Sequence, residues 1–151
     1  LIKTANKIIA TFFYSGYFPV APGTFGSLVA LIVWLLFPAI IGLKTGILVL
    51  TLFLGFYATS NVTRGLEVRD PGFIVIDEVV GMWITLLLID ILFEPNLKWP
   101  IIGFFLFRAF DIIKPYPISV SENLRGSLGI MLDDILAGLF SAIVLILIKT
   151  L

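Results

Sequence analysis

The chain contains no cysteine and no histidine. The first absence excludes disulfides, thiolate metal sites and cysteine nucleophiles. The second removes phosphohistidine chemistry, the Ser-His-Asp triad and imidazole ligation, which leaves any catalysis to carboxylates, Lys, Arg, Ser, Thr and Tyr. Net charge is missing too: ten basic and ten acidic residues cancel, so no global field points to nucleic acid or to a strongly anionic partner. Charged residues are scarce at 13%, while 60% of residues are hydrophobic and mean hydropathy is +1.13. A soluble fold of 151 residues has too little interior to hide that much apolar side chain, whereas a bilayer accepts it. No internal repeat or low-complexity linker divides the chain, which reads as one membrane-embedded helical domain over residues 1–151.

Five apolar stretches approach the length of about 20 helical residues needed to cross a hydrocarbon core. They cover residues 27–43, 46–60, 73–93, 99–113 and 130–148. The second and fourth are short, and Pro38 is expected to kink or end the first. The apolar stretches continue far past any cleavable signal and so read as permanent spans. Ahead of them, Lys3 and Lys7 followed by Ile8, Ile9, Phe12 and Phe13 suggest an amphipathic helix lying in the interface. The expected architecture is an all-α polytopic bundle of about five transmembrane helices plus this interfacial helix.

With five crossings, the loops alternate sides and the basic residues set the orientation. Lys3, Lys7, Arg64, Arg69, Arg108, Lys114 and Arg125 share the side of the N-terminus, against Lys44, Lys98 and Lys149 opposite. That side is therefore expected in the cytoplasm. The acids follow the same division: Glu67, Asp70, Asp77, Glu78, Asp111, Glu122, Asp133 and Asp134 fall with the basic majority, leaving Asp90 and Glu94 on the far side.

Four segments at this face carry candidate chemistry. Residues 19–27 hold two prolines and two glycines and read as an irregular loop. There Thr24 or Ser27 can cap the following span, and the backbone around Gly23 can offer N–H groups to a phosphate. In residues 70–83, Asp77 and Glu78 interrupt an apolar run. Ionised acids near membrane depth cost several kcal/mol unless compensated. The apolar residues before this pair favour acids inside a span over acids at a helix N-terminus. In residues 107–117, Arg108, Asp111 and Lys114 recur every third position on one helical face. They can form a self-neutralising triad, or Asp111 can serve a metal while the cations hold phosphate. Residues 129–138 place Asp133 and Asp134 near the start of the last span, with Ala137 and Gly138 as small packing surfaces. Acids gathered this way repel one another unless protons or cations intervene, and an oxygen-only ligand set selects Mg²⁺, Mn²⁺ or Ca²⁺ over zinc.

Together these segments resemble the phosphatidylglycerophosphatase A family of bacterial membrane phosphatases. The resemblance is carried by Pro-Val-Ala-Pro-Gly-Thr-Phe-Gly-Ser-Leu (19–28), Ile-Val-Ile-Asp-Glu-Val-Val-Gly-Met-Trp (74–83), Phe-Arg-Ala-Phe-Asp-Ile-Ile-Lys-Pro-Tyr-Pro-Ile (107–118) and Gly-Ile-Met-Leu-Asp-Asp-Ile-Leu-Ala-Gly (129–138). Ser127 stands where a second glycine is expected. The resemblance implies a Mg²⁺-dependent hydrolase that converts phosphatidylglycerophosphate and water to phosphatidylglycerol and phosphate in the bacterial inner membrane, with its active site facing the cytoplasm. On that reading Asp77, Glu78, Asp111, Asp133 and Asp134 are the expected catalytic metal ligands. Arg108, Lys114, Gly23, Thr24 and Ser27 are the expected phosphate contacts. The expected partners are the phospholipid substrate and the membrane, with no nucleic acid and with association of further copies left open. The alternatives are a cation or proton transporter using clustered intramembrane carboxylates, and an assembly subunit whose acids only pair with Arg and Lys.

Overall fold

The computed structural model describes residues 2–64, 66, 71–121, 124 and 126–151. Glu67, Arg69, Asp70, Glu122 and Arg125, which entered the reckoning of sides, lie outside the described residues. Among the described residues there are seven α-helices and no strand: α1 (Ile2–Ala10), α2 (Pro22–Leu36), α3 (Ile41–Thr63), α4 (Ile76–Leu92), α5 (Lys98–Ile113), α6 (Ile118–Ser121) and α7 (Ser127–Thr150). A 3₁₀ turn at Ser15–Tyr17 joins α1 to the approach of α2.

Among the described residues two helices, α3 with 23 residues and α7 with 24, are long and apolar enough to cross a membrane. Helices α2, α4 and α5, with 15, 17 and 16 residues, span about 23–26 Å at ~1.5 Å per residue, less than a typical core of ~30 Å. The outside of the bundle is apolar: Ile32, Phe53, Phe105, Ile143 and Leu147 are all at least half exposed. A soluble monomer rarely presents so continuous a surface.

Helix boundaries differ from expectation at the prolines. The first apolar helix begins at Pro22 rather than at residue 27, because proline is tolerated at the first helical position, where its missing N–H costs nothing. Its cap is Ala21, in the left-handed region at φ 47°, with no side-chain cap bond. Thr24 and Ser27 therefore lie inside α2 and do not cap it. The helix stops at Leu36, before Pro38, and the next starts at Ile41, so the expected span 46–60 grows by a turn at its start.

Helix α4 is the axis of the bundle, touching α2, α3, α5 and α7. Most of its residues are buried, including Val79, Val80, Met82, Trp83, Thr85 and Leu86. Its closest partner is α7, and two glycines explain why. A Cβ added at Gly81 would lie 2.5 Å from the Asp134 carbonyl oxygen and 2.6 Å from the Phe107 ring, while one at Gly138 would strike the Gly81 carbonyl. The two backbones meet here because neither residue has a side chain, the small-residue packing that lets helices approach in a bilayer. Thr85 Oγ1, 3.0 Å from the Gly138 carbonyl and 3.2 Å from that of Gly81, ties the crossing with a buried hydroxyl. On the opposite flank Trp83 donates its Nε1–H to the Ala30 carbonyl at 2.9 Å, fixing α4 against α2.

Candidate active site

The Gly81–Gly138 crossing decides which acids meet. Helix α4 starts at Ile76, so Asp77 and Glu78 occupy its first turn. This corrects the expectation that the apolar residues before them continue the helix. Residues 73–75 instead approach as irregular chain, with Val75 N–H donating to the Ala10 carbonyl at 3.0 Å. Close contact of α7 then sets Asp134 beside the pair, and ligand oxygens of Asp77, Glu78 and Asp134 all lie within 4.8 Å of one another. Asp77 is 6% exposed and Asp134 2%. Glu78 Oε2 and both carboxylate oxygens of Asp134 are enclosed without a hydrogen-bond donor. The field at the start of α4 favours negative charge, yet a helix end offers only about half a unit of positive charge against three carboxylates. Such a group is stable when a cation or protons supply the rest.

Arg108 stands against this cluster and Lys114 against the neighbouring Asp133, each oriented by an acid. Arg108, on the face of α5, places Nη1 2.6 Å from Asp111 Oδ2 and 4.0 Å from Glu78 Oε1. The same nitrogen donates to Ser27 Oγ at 3.3 Å, and the Ser27 hydroxyl donates in turn to the Gly23 carbonyl at 2.8 Å. Arg108 Nε is enclosed with no acceptor. Lys114 ends α5 in the left-handed region at φ 46°. That turn carries its ammonium away from Asp111 to Asp133 of α7, at 2.7 Å. Of the evenly spaced residues 108, 111 and 114, Arg108 thus pairs with Asp111 on its own helix while Lys114 reaches an acid on another.

The segment 19–27 reaches the same place. A side chain at Gly23 would collide with Glu78 Oε1 and come within 3.3 Å of Arg108 Nη2, so a larger residue there would displace the Glu78 carboxylate beside which α2 begins. Thr24 follows it, half-buried, in the same turn. The five expected metal ligands thus fall into two groups. Asp77, Glu78 and Asp134 form a compact set; Asp111 adjoins Asp134 while also holding Arg108, and Asp133 holds Lys114.

Several contributors had no advance signal or only a weak one. Thr85 follows Gly81 by one helical turn and could have been read as facing the same neighbour. Ser27, expected as a phosphate contact, links Arg108 to the backbone of α2 through its hydroxyl. Tyr116 is 82% exposed, away from any packed site. Trp34 and Trp83 pack together at a centroid distance of 5.6 Å and belong to the core.

Residues 8–149 match the family described as Phosphatidylglycerophosphatase A. A Bacteroides thetaiotaomicron protein named "Putative phosphatidylinositol-3-phosphatase" is 40% identical, covering 91% of this chain and 89% of its own length. Proteins named Phosphatidylglycerophosphatase A are 38% identical in Escherichia coli, covering 93% of this chain and 83% of theirs, and 39% identical in Haemophilus influenzae, covering 94% and 87%. No solved structure matches the chain.

Proposed function

The chain belongs to the phosphatidylglycerophosphatase A family, and from that premise we propose that it hydrolyses phosphatidylglycerophosphate to phosphatidylglycerol and inorganic phosphate with Mg²⁺ as cofactor. It is a phosphatase. The observation that carries the finer reading is the meeting of Asp77, Glu78 and Asp134 beside the Arg108 guanidinium.

Asp77, Glu78 and Asp134 would hold the ion. The fit rests on enclosed oxygens of Glu78 and Asp134 that no protein donor satisfies, and on a hard, oxygen-only donor set of the kind Mg²⁺ takes. When bound, Mg²⁺ neutralises phosphate oxygens, activates a nucleophile and steadies the departing alkoxide. Around it the chain's own groups position the substrate. Arg108 is held by Asp111 and Ser27, and its enclosed Nε remains a donor for a phosphate oxygen. Lys114, fixed by Asp133, adds a second positive charge. The first-turn N–H groups of α2, at Gly23 and Thr24, have no helical acceptor and stand by Glu78 and Arg108, a setting that suits a phosphate oxygen.

Helices α2, α3, α4, α5 and α7 are read as five crossings, with flanking turns extending the shorter ones and α1 resting at the interface. The active site then faces the cytoplasm of the bacterial inner membrane, by the positive-inside distribution of Lys and Arg. Acyl chains stay in the leaflet while the headgroup enters the polar end, so the membrane itself helps select substrate. The transporter alternative is not supported: Asp77, Glu78 and Asp134 gather at one end of α4 and α7, and the acid at the other end of α4, Asp90, is bound to Lys44. Ion paths distribute acids through the membrane's depth instead.

Phosphate release from phosphatidylglycerophosphate in uncharged detergent micelles, with and without Mg²⁺, tests the reading. Phosphatidic acid and phosphatidylinositol 3-phosphate serve as competing substrates, the latter because of the name carried by the Bacteroides relative. Mg²⁺-dependent release with phosphatidylglycerophosphate preferred is expected. Release that ignores a chelator, or a preference for another phospholipid phosphate, would contradict the cofactor or the substrate respectively.

A further inference from the structure

A second polar cavity of about 770 Å³ lies between α1, the end of α3 and the 3₁₀ turn, and none of its lining residues belongs to the carboxylate cluster. It occupies the same end of the bundle as the active site, because Phe73 in its wall precedes the first turn of α4 by three residues. Lys3 and Lys7, one helical turn apart on α1, and Arg64, just beyond α3, line it. No acid lines it among the described residues, and none there forms an ion pair with these three cations. Lys7 Nζ sits 5.1 Å from the centre of the Tyr17 ring, which stacks on Phe73 at 5.8 Å. An aromatic wall thus places that charge at the cavity.

A second observation is independent of the charges. Asn6 lines the cavity at 5% exposure, and its side-chain amide has no hydrogen-bond partner among the described residues. Its amide is therefore open to whatever fills the cavity. Asn61 supplies another amide to the wall. Cations beside neutral hydrogen-bonding groups fit an anion that carries polar substituents. The volume suits a small headgroup and is larger than a lone phosphate needs.

We propose that this cavity binds the phosphate of an anionic glycerophospholipid headgroup, at a site separate from the carboxylate cluster. The cations engage the phosphodiester, while Asn6 and Asn61 take the hydroxyls of the headgroup alcohol. Acyl chains leave along the apolar outside of the bundle. The site involves no metal, so it stands or falls apart from the phosphatase chemistry.

The test titrates short-chain phosphatidylglycerol into the full chain in uncharged detergent with chelator present, following binding by calorimetry. Phosphatidylcholine and inorganic phosphate are the control ligands. Wild-type protein is expected to bind phosphatidylglycerol in preference to both. Arg64→Gln should weaken binding about fivefold, and Lys3→Gln/Lys7→Gln/Arg64→Gln at least tenfold, given roughly that contribution per cation at a lipid headgroup. The variants should keep the wild-type kcat for phosphate release, which also shows that they fold. If the triple variant does not fold, the exposed Arg64 substitution alone carries the measurement. Equal affinity in wild type and Arg64→Gln, or binding of inorganic phosphate as tight as that of the lipid, would overturn the proposal.

Discussion

The two ends of α4 treat the same kind of residue in opposite ways. Near its end, Asp90 accepts from Lys44 Nζ at 2.7 Å and from Trp34 Nε1 at 2.9 Å, so one carboxylate oxygen meets a full cation and an indole donor. The Lys44 ammonium is only 5.0 Å from the Trp34 ring, which closes a self-sufficient knot. At its start, Asp77 and Glu78 meet a third acid, and the basic residues nearby are already tied to Asp111 and Asp133. One end is a completed structural contact. Among the described residues, the other end leaves Glu78 Oε2 and both Asp134 carboxylate oxygens without a donor, which is how a site looks when its missing partner is a ligand.

Substitutions can break this contrast from either side. The largest effect is expected for Asp134→Asn, which removes one charge from the enclosed cluster with little change in shape. Phosphate release should fall about 100-fold or more, the scale seen when an electrostatic group is lost from an active site. Thermal stability in detergent with chelator should hold or rise, because like-charge repulsion is relieved. A loss of both activity and stability would make Asp134 structural and erase the difference between the two ends.

Arg108→Lys should have an intermediate effect. It keeps the charge but loses the Nε and second Nη donors and shortens the reach that brings Nη1 to Asp111, Ser27 and Glu78. A drop of about 10-fold to 100-fold in kcat/KM is expected, on the order of one or two charge-assisted hydrogen bonds. Full activity in this variant would place phosphate recognition elsewhere. The smallest effect on catalysis belongs to Asp90→Asn, where activity per folded molecule should stay near wild type. Stability should fall by about 1–2 kcal/mol, since Lys44 would be left buried without its counter-charge while the partly exposed partner softens the loss. Activity falling in proportion to that of Asp134→Asn would show the ends to be coupled.

Much of this is legible in the sequence, and the reasons are physical. Long apolar stretches announce helices, and acids set among them are costly enough to signal compensation, so the all-α architecture and the convergence of segments around residues 19–27, 77–78 and 134 could be anticipated. The start of α2 could not, because Pro22 reads equally as a loop residue and as the first residue of a helix. The position of Asp77 and Glu78 in a first turn was hidden by the apolar residues 73–75, whose burial arises from packing rather than from helix. Pairing of Lys114 with Asp133 depends on the left-handed turn that ends α5, whereas spacing along a single helix points to Asp111. Spacing within a chain reveals neighbours on one element. Which acid is claimed by which cation is decided between elements.

Binding of Mn²⁺ followed by electron paramagnetic resonance tests for a divalent ion at Asp77, Glu78 and Asp134 without relying on turnover. Purified wild-type protein in uncharged detergent is predicted to bind Mn²⁺ in a form that Mg²⁺ displaces, with Asp90→Asn behaving the same and Asp134→Asn binding at least tenfold more weakly, on the scale of a lost ligand group. Undiminished binding in Asp134→Asn, or no displaceable Mn²⁺ in the wild type, would contradict the account.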